Sequence, residues 1–170
     1  QFAPDGIRRQ ALFLREGDRG TVFAYLNPQV VTDLRHEVTH AVLHSMLPFL
    51  PIWLDEGLAE YFELPSTDRA SDNPHERHLK IVARLRVAWR PSLTKLEAKR
   101  DQSQMKMTDY RESWLWVHFM LHGPPEATKL LRDYLATIQD RTPPGPLSDH
   151  LRKLYSSPER QMTQHLLSWE

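Results

Sequence analysis

The sequence predicts an α+β fold that is mostly helical: a small N-terminal β-hairpin or sheet, then a histidine-bearing helix, then a helical C-terminal half. Three observations predict it. Residues 11–16 (ALFLRE) and 21–26 (TVFAYL) are apolar and rich in β formers, with the turn-prone Gly17-Asp18-Arg19-Gly20 between them, which is the pattern of a hairpin. From Gln29 onward, apolar residues recur at three- and four-residue spacings, the period of helices that bury one face. Proline and glycine punctuate these segments at intervals that suit short helices.

Asn27-Pro28 reads as a helix start, with Asn as N-cap and Pro in the first turn. Val30, Leu34, Val38, Ala41, Val42 and Met46 carry that helix to about Leu47, where Pro48 and Pro51 stop it. A second helix runs from about Trp53 to Leu64. Residues 66–74 are polar and rich in breakers, and are expected to form a mobile surface loop. Helical periods return at 75–90 and, in a short piece, at 93–99. Residues 107–122 form a strongly apolar helix closed by Gly123-Pro124-Pro125, expected to be buried on several sides. An amphipathic helix follows at 125–139. Pro143-Pro144-Gly145-Pro146 is a rigid linker, and short helices complete the chain at about 147–155 and 158–168.

At 170 residues, the chain suits one domain with a sizeable core. Residues 1–64 would carry the sheet and the two site helices, and residues 75–170 a helical subdomain. Lys plus Arg number 22 and so do Asp plus Glu, so no net field favours nucleic acid or an anionic membrane. The most apolar stretch, Ala41 to Leu54, is too short to span a bilayer, and no membrane insertion is expected. With no cysteine, any metal must be held by histidine and carboxylate, and the redox compartment is undecided. The chain opens at Gln1 and carries no signal peptide. It is read as a trimmed or processed domain, so that absence is given no weight.

The chemistry concentrates at His36-Glu37-Val38-Thr39-His40. Histidines four apart on a helix lie about 40° apart around its axis, so both imidazoles can reach one ion, with Glu37 at the edge of the same face. This is the H-E-x-x-H arrangement of two zinc ligands and a carboxylate beside the metal-bound water. A third ligand is needed. Glu56 and Glu60 share one face of the second helix and compete for that place.

The segment Trp53-Leu54-Asp55-Glu56-Gly57-Leu58-Ala59 resembles that of the gluzincin metallopeptidases of the peptidase MA clan, the aminopeptidase-like group in particular. There the Glu before Gly is the third zinc ligand, which implies Glu56. In thermolysin-like members an acid four residues later orients the first histidine, a place that Glu60 matches. Tyr110, opening Tyr-Arg-Glu-Ser-Trp-Leu-Trp-Val-His-Phe, is similar to the tyrosine that stabilises the oxyanion. Both segments also look like those of small bacterial peptidase-MA-like domains, and the likeness covers roughly residues 20–123. It implies a single zincin-like domain with Zn2+ held by His36, His40 and Glu56. Glu37 would be the general base and Tyr110 the oxyanion donor, with Glu60 supporting His36. In this clan an edge strand preceding the active helix pairs with extended substrate, a part that falls to Thr21–Leu26. The Gly-x-Met-Glu-Asn segment of true aminopeptidases has no match upstream of His36. A zinc endopeptidase acting on peptide or protein is therefore expected, with other domains of a full-length protein as further partners. Cell envelope or secretion is preferred over cytoplasm.

Each residue also has a plainer reading. His44, eight residues beyond His36, sits too far along the axis to share the ion and is read as a polar flank residue. The longer zincin pattern fails, because Leu43 and Met46 stand where glycine and histidine belong. His118 is read as a buried, hydrogen-bonded histidine, and His75, His78, His122, His150 and His165 as surface residues. Trp53, Leu54, Leu58, Phe62, Trp114 and Trp116 are read as core, Asp55 as a helix-start charge. The alternative function is a non-catalytic zinc-binding recognition module of a larger protein, and a weaker one is a hydrolase acting on something other than peptides.

Overall fold

The computed structural model describes residues 11–17, 19–69, 74–84 and 89–169. The fold is α+β: a two-stranded antiparallel sheet followed by eight α-helices among the described residues. Strands β1 (Ala11–Glu16) and β2 (Arg19–Ala24) pair with Phe13 opposite Val22. Gly17 turns the hairpin at φ 59°, a conformation that glycine adopts without a Cβ penalty.

Helix α1 spans Val30–Met46. It begins two residues after the expected Pro28, but Asn27 still closes the entry, its Oδ1 accepting from Gln29 N at 2.6 Å. Helix α2 (Ile52–Phe62) starts after Pro51, and α3 spans Pro74–Arg84. Leu85 and Val87, expected to extend that third helix, and residues 70–73 of the polar loop lie outside the described residues. Then come α4 (Leu93–Glu97), a 3₁₀ turn at Gln102–Gln104, α5 (Met107–His122), α6 (Pro125–Gln139), α7 (Leu147–Leu154) and α8 (Pro158–Ser168).

The core is built on α5, buried without interruption from Glu112 to Met120. Helix α2 lies against it with Trp53, Leu54, Leu58 and Tyr61 in the same apolar cluster as Trp114, Trp116 and Val117. Gly57 sets how close the two helices come: a Cβ there would lie 2.7 Å from Ser113 O and 2.9 Å from Ser113 C. The C-terminal helices lock on by a cross-chain cap. Ser148 at the start of α7 donates both its backbone N (3.0 Å) and its hydroxyl (2.5 Å) to the carboxylate of Glu97 on α4, which satisfies an amide that the helix itself leaves open.

Four histidines read as surface residues are half-buried instead: His75, His122, His150 and His165. His118 is buried as expected and shares a 3.0 Å hydrogen bond with His165, while His122 Nε2 meets the Tyr61 hydroxyl at 2.7 Å. For His118, His122 and His165 the reason is tertiary: α8 docks on α5 and gathers these rings around Trp169, which period alone does not disclose. Helix α1 inverts the usual amphipathic arrangement. Its inward face carries Glu37 and His40, while Val31, Leu34, Val38, Val42 and Met46 are exposed. Val38 lies about 180° around the axis from the midpoint of the histidine pair. No helix among the described residues is long and apolar enough to cross a membrane.

Candidate metal centre

Helix geometry brings His36 and His40 to one side of α1, their ring centroids 4.9 Å apart and edge to face. Helix α2 packs against α1 and supplies Glu56, which is buried with 3% exposure. Glu56 Oε2 lies 3.5 Å from His36 Nε2 and 3.8 Å from His40 Nε2. The three ligand atoms are all within 4.8 Å of one another, so these buried His and Glu groups can hold a metal ion. Of the two competing carboxylates, Glu56 is thus the one that faces both Nε2 atoms. Its second oxygen, Oε1, accepts from Gln102 Nε2 at 2.5 Å.

The outer nitrogens show why the imidazoles present Nε2 to that point. His36 Nδ1 is 3.0 Å from Glu63 Oε2, and His40 Nδ1 is 2.9 Å from Asp55 Oδ1. A carboxylate on Nδ1 keeps the ring proton there and leaves Nε2 as the lone-pair donor, the usual support for a metal-binding histidine. His36 Nε2 is buried and makes no hydrogen bond among the described residues. Its nearest acid, Glu56 Oε2 at 3.5 Å, is beyond a well-formed hydrogen bond, and a cation between the two would satisfy both. The donor set and this orphaned nitrogen fit a metal ion.

Three expectations are corrected here. Glu60 does not brace His36: its Oε2 pairs with His75 Nε2 at 2.5 Å, and Glu63 takes the His36 nitrogen. Seven residues from Glu56 bring a helix back to within about 20° of the same direction, against about 40° for four residues. Helix α3 also supplies His75, which draws Glu60 aside. Nor is Asp55 a simple helix-start charge, since it braces His40 and its Oδ2 also meets His44 Nε2 at 2.7 Å. His44 is accordingly no bare flank residue, although it stays out of the ligand set.

The electrostatics follow from this crowding of acids. Burial alone would lower the His36 pKa, but the carboxylates of Glu56 and Glu63 at its two nitrogens, with Glu60 nearby, lift it to about 10. Burial would raise Asp55, yet its bonds to His40 and His44 hold it down at about 2. Burial pushes Glu63 up even against its bond to His36. Glu60 goes the other way, because His75 outweighs its burial. The pocket stabilises positive charge at the point where the two Nε2 atoms meet.

Glu37 is also buried, and its Oε2 accepts from the backbone N of Phe13 at 2.7 Å. The backbone amide that reaches Glu37 is thus one of β1, and both strands of the hairpin lie against α1. Phe13 also sets its ring edge-on to His44, 5.7 Å between centroids. Tyr110 lies buried in the first turn of α5, the helix that receives α2, just after the turn that carries Gln102.

Glu63, Asp55, His44 and Gln102 are the site residues that reading the sequence missed. Asp55 lies in the first turn of α2 and Glu63 caps its end. Gln102 comes from a weakly patterned stretch 46 residues away from Glu56, and no local signal marks it. No family model, curated protein or solved structure matches the chain, so its site is identified by its own geometry as a candidate metal centre.

Proposed function

We propose that the chain is a zinc-dependent metallopeptidase of the gluzincin kind, cleaving within peptides or proteins, not at free N-termini. One observation carries the reading: two imidazoles with carboxylate-braced Nδ1 atoms and a buried Glu56 oxygen converge on one point, with the carboxylate of Glu37 on the same helix. Two nitrogens and one oxygen, without thiolate, suit zinc with one position left for water. When bound, the ion supplies an acidified water and a Lewis acid for a carbonyl.

The chain's own residues would do the rest. Glu37 would take the proton from the attacking water and pass it to the leaving amine. To do so its carboxylate gives up, or shares, the hydrogen bond from Phe13 N. Tyr110 would donate to the developing oxyanion, a contribution of about 3 kcal/mol for a well-placed donor. Glu63 and Asp55 would hold the ligand rings in place. The outer edge of β1, with its Phe13 amide turned toward the site, supports an extended peptide as substrate.

The Phe13–Glu37 bond also favours a second reading. A Glu37 that only ties β1 to α1 belongs to a zinc-binding recognition module without catalysis. A fluorogenic peptide library, assayed with and without chelator on wild type and Glu37→Gln, separates the two. Chelator-sensitive cleavage that vanishes in Glu37→Gln while bound zinc is retained is the expected result. Full cleavage by Glu37→Gln would overturn the general-base assignment, and a folded, zinc-loaded wild type without cleavage would favour the module.

A further inference from the structure

Glu56 is buried, yet one of its oxygens is held by an exposed side chain from a distant turn. Gln102 donates to Glu56 Oε1 while Oε2 faces the two histidine nitrogens. The turn that delivers Gln102 is built without that bond. Asp101 Oδ1 accepts from Ser103 N at 2.9 Å, and Gln104 Oε1 accepts from Arg100 N at 2.8 Å. Lys99 Nζ reaches Gln104 O at 2.7 Å and Asp109 at 3.1 Å, and Met105, with 1% exposure, pins the end of the turn in the core. A turn so anchored gains little from one more bond at an exposed side chain, whereas Glu56 gains a fixed orientation.

Resting on the metal reading above, we propose that Gln102 is a positioning residue that makes Glu56 a one-oxygen ligand. A carboxylate with both oxygens unrestrained can close on a cation with both, because each oxygen carries lone pairs and shares the charge. An amide N–H on Oε1 draws charge from that oxygen and keeps it turned from the ion, leaving a coordination position for water. Partners outside the ligand shell commonly set affinity by ten- to a hundredfold. Gln102 would act within that range, by fixing through Oε1 the orientation of the one ligand that is not a ring.

The test uses cobalt(II) as the probe, because its visible absorption weakens as the number of ligands rises. Wild type, Gln102→Ala, Gln102→Glu and Gln104→Ala are loaded with Co2+ and titrated against a chromogenic chelator. Gln102→Glu preserves size but, ionised, cannot donate. Gln104→Ala perturbs the same turn without touching Glu56. The expected result is weaker visible absorption and roughly ten- to a hundredfold weaker metal binding in both Gln102 variants, with Gln104→Ala like wild type. Unchanged spectra in Gln102→Ala, or equal changes in Gln104→Ala, would overturn the assignment while leaving the metal reading intact. Wild-type protein that takes up no cobalt would overturn the metal reading, and this inference with it.

Discussion

Replacing Gly57 with alanine tests the packing that delivers Glu56 to the histidines. The new Cβ would sit 2.7 Å from Ser113 O, 2.9 Å from Ser113 C and 3.0 Å from Val117 Cγ2, where ordinary contact begins near 3.4 Å. Two of these atoms are backbone in the middle of α5 and cannot rotate away. Relief requires α2 and α5 to part by roughly 0.7 Å, the shortfall between those distances, along a contact that includes Trp53, Leu54 and Trp114. Overpacking against backbone that cannot yield falls in the upper part of the usual range, at about 2–3 kcal/mol. Alanine's better helix propensity offsets about 1 kcal/mol of that, leaving a net loss of about 1–2 kcal/mol. At about 2–4 °C per kcal/mol for a domain of this size, the melting temperature should fall by about 2–8 °C. Because residue 57 adjoins the ligand, metal affinity should fall in parallel, by about tenfold. Thermal unfolding followed by circular dichroism, paired with chelator competition, measures both. An unchanged or raised melting temperature would refute the close-approach argument, since only the propensity gain would then be acting.

Two further predictions follow from the surroundings of the site and from α8. Glu63→Gln should weaken metal binding by ten- to a hundredfold, while Glu60→Gln should cost no more than about threefold, because only Glu63 holds His36 Nδ1; chelator competition ranks the two, and the reverse order would restore Glu60 to that role. His165, desolvated by burial and with His122 nearby, is held down to about 4 from 6.5; His118 stacks on it and in turn on His122. Its neutral form is the one the fold favours, so its stability contribution is complete above about pH 6.5 and is lost as the pH falls toward 4. After discounting for partial exposure this amounts to about 1–2 kcal/mol. The slope of melting temperature between pH 7 and pH 4.5 should flatten in His165→Gln, and an unaltered slope would remove His165 from the account.

What was legible in the sequence is what depends on local spacing. His36 and His40 sit four apart on one helix, and that alone placed both imidazoles side by side. Gln29 to Met46 and Met107 to His122 carry enough apolar period to locate their helices within a residue or two. The choice between Glu60 and Glu63 was not local. Both lie near the Glu56 face, and the decision came from α3, which supplies His75 to Glu60. Asp55 was read as a helix-start charge, because its role depends on which side of His40 carries Nδ1. Gln102 belongs to a stretch whose pattern is weak because its contacts are long-range. That β1 supplies a backbone amide to Glu37 was equally beyond local spacing, because order along the chain says nothing about which strand of a hairpin meets a given helix residue.

The apolar stripe on the outside of α1 bears on how the molecule behaves among its own copies. Val31, Val38, Val42 and Met46 are each about half exposed, and the chain carries no net charge at pH 7, with an isoelectric point near 7.3. Close to neutrality there is no long-range repulsion to keep such faces apart, and colloidal stability passes through its minimum where the working pH meets the isoelectric point. Mildly alkaline buffer adds like charge to every copy and should keep the protein dispersed. Lysine in place of Val38 or Val42 would do the same at neutral pH from the side of the helix turned away from His36 and His40, leaving the ligand geometry undisturbed.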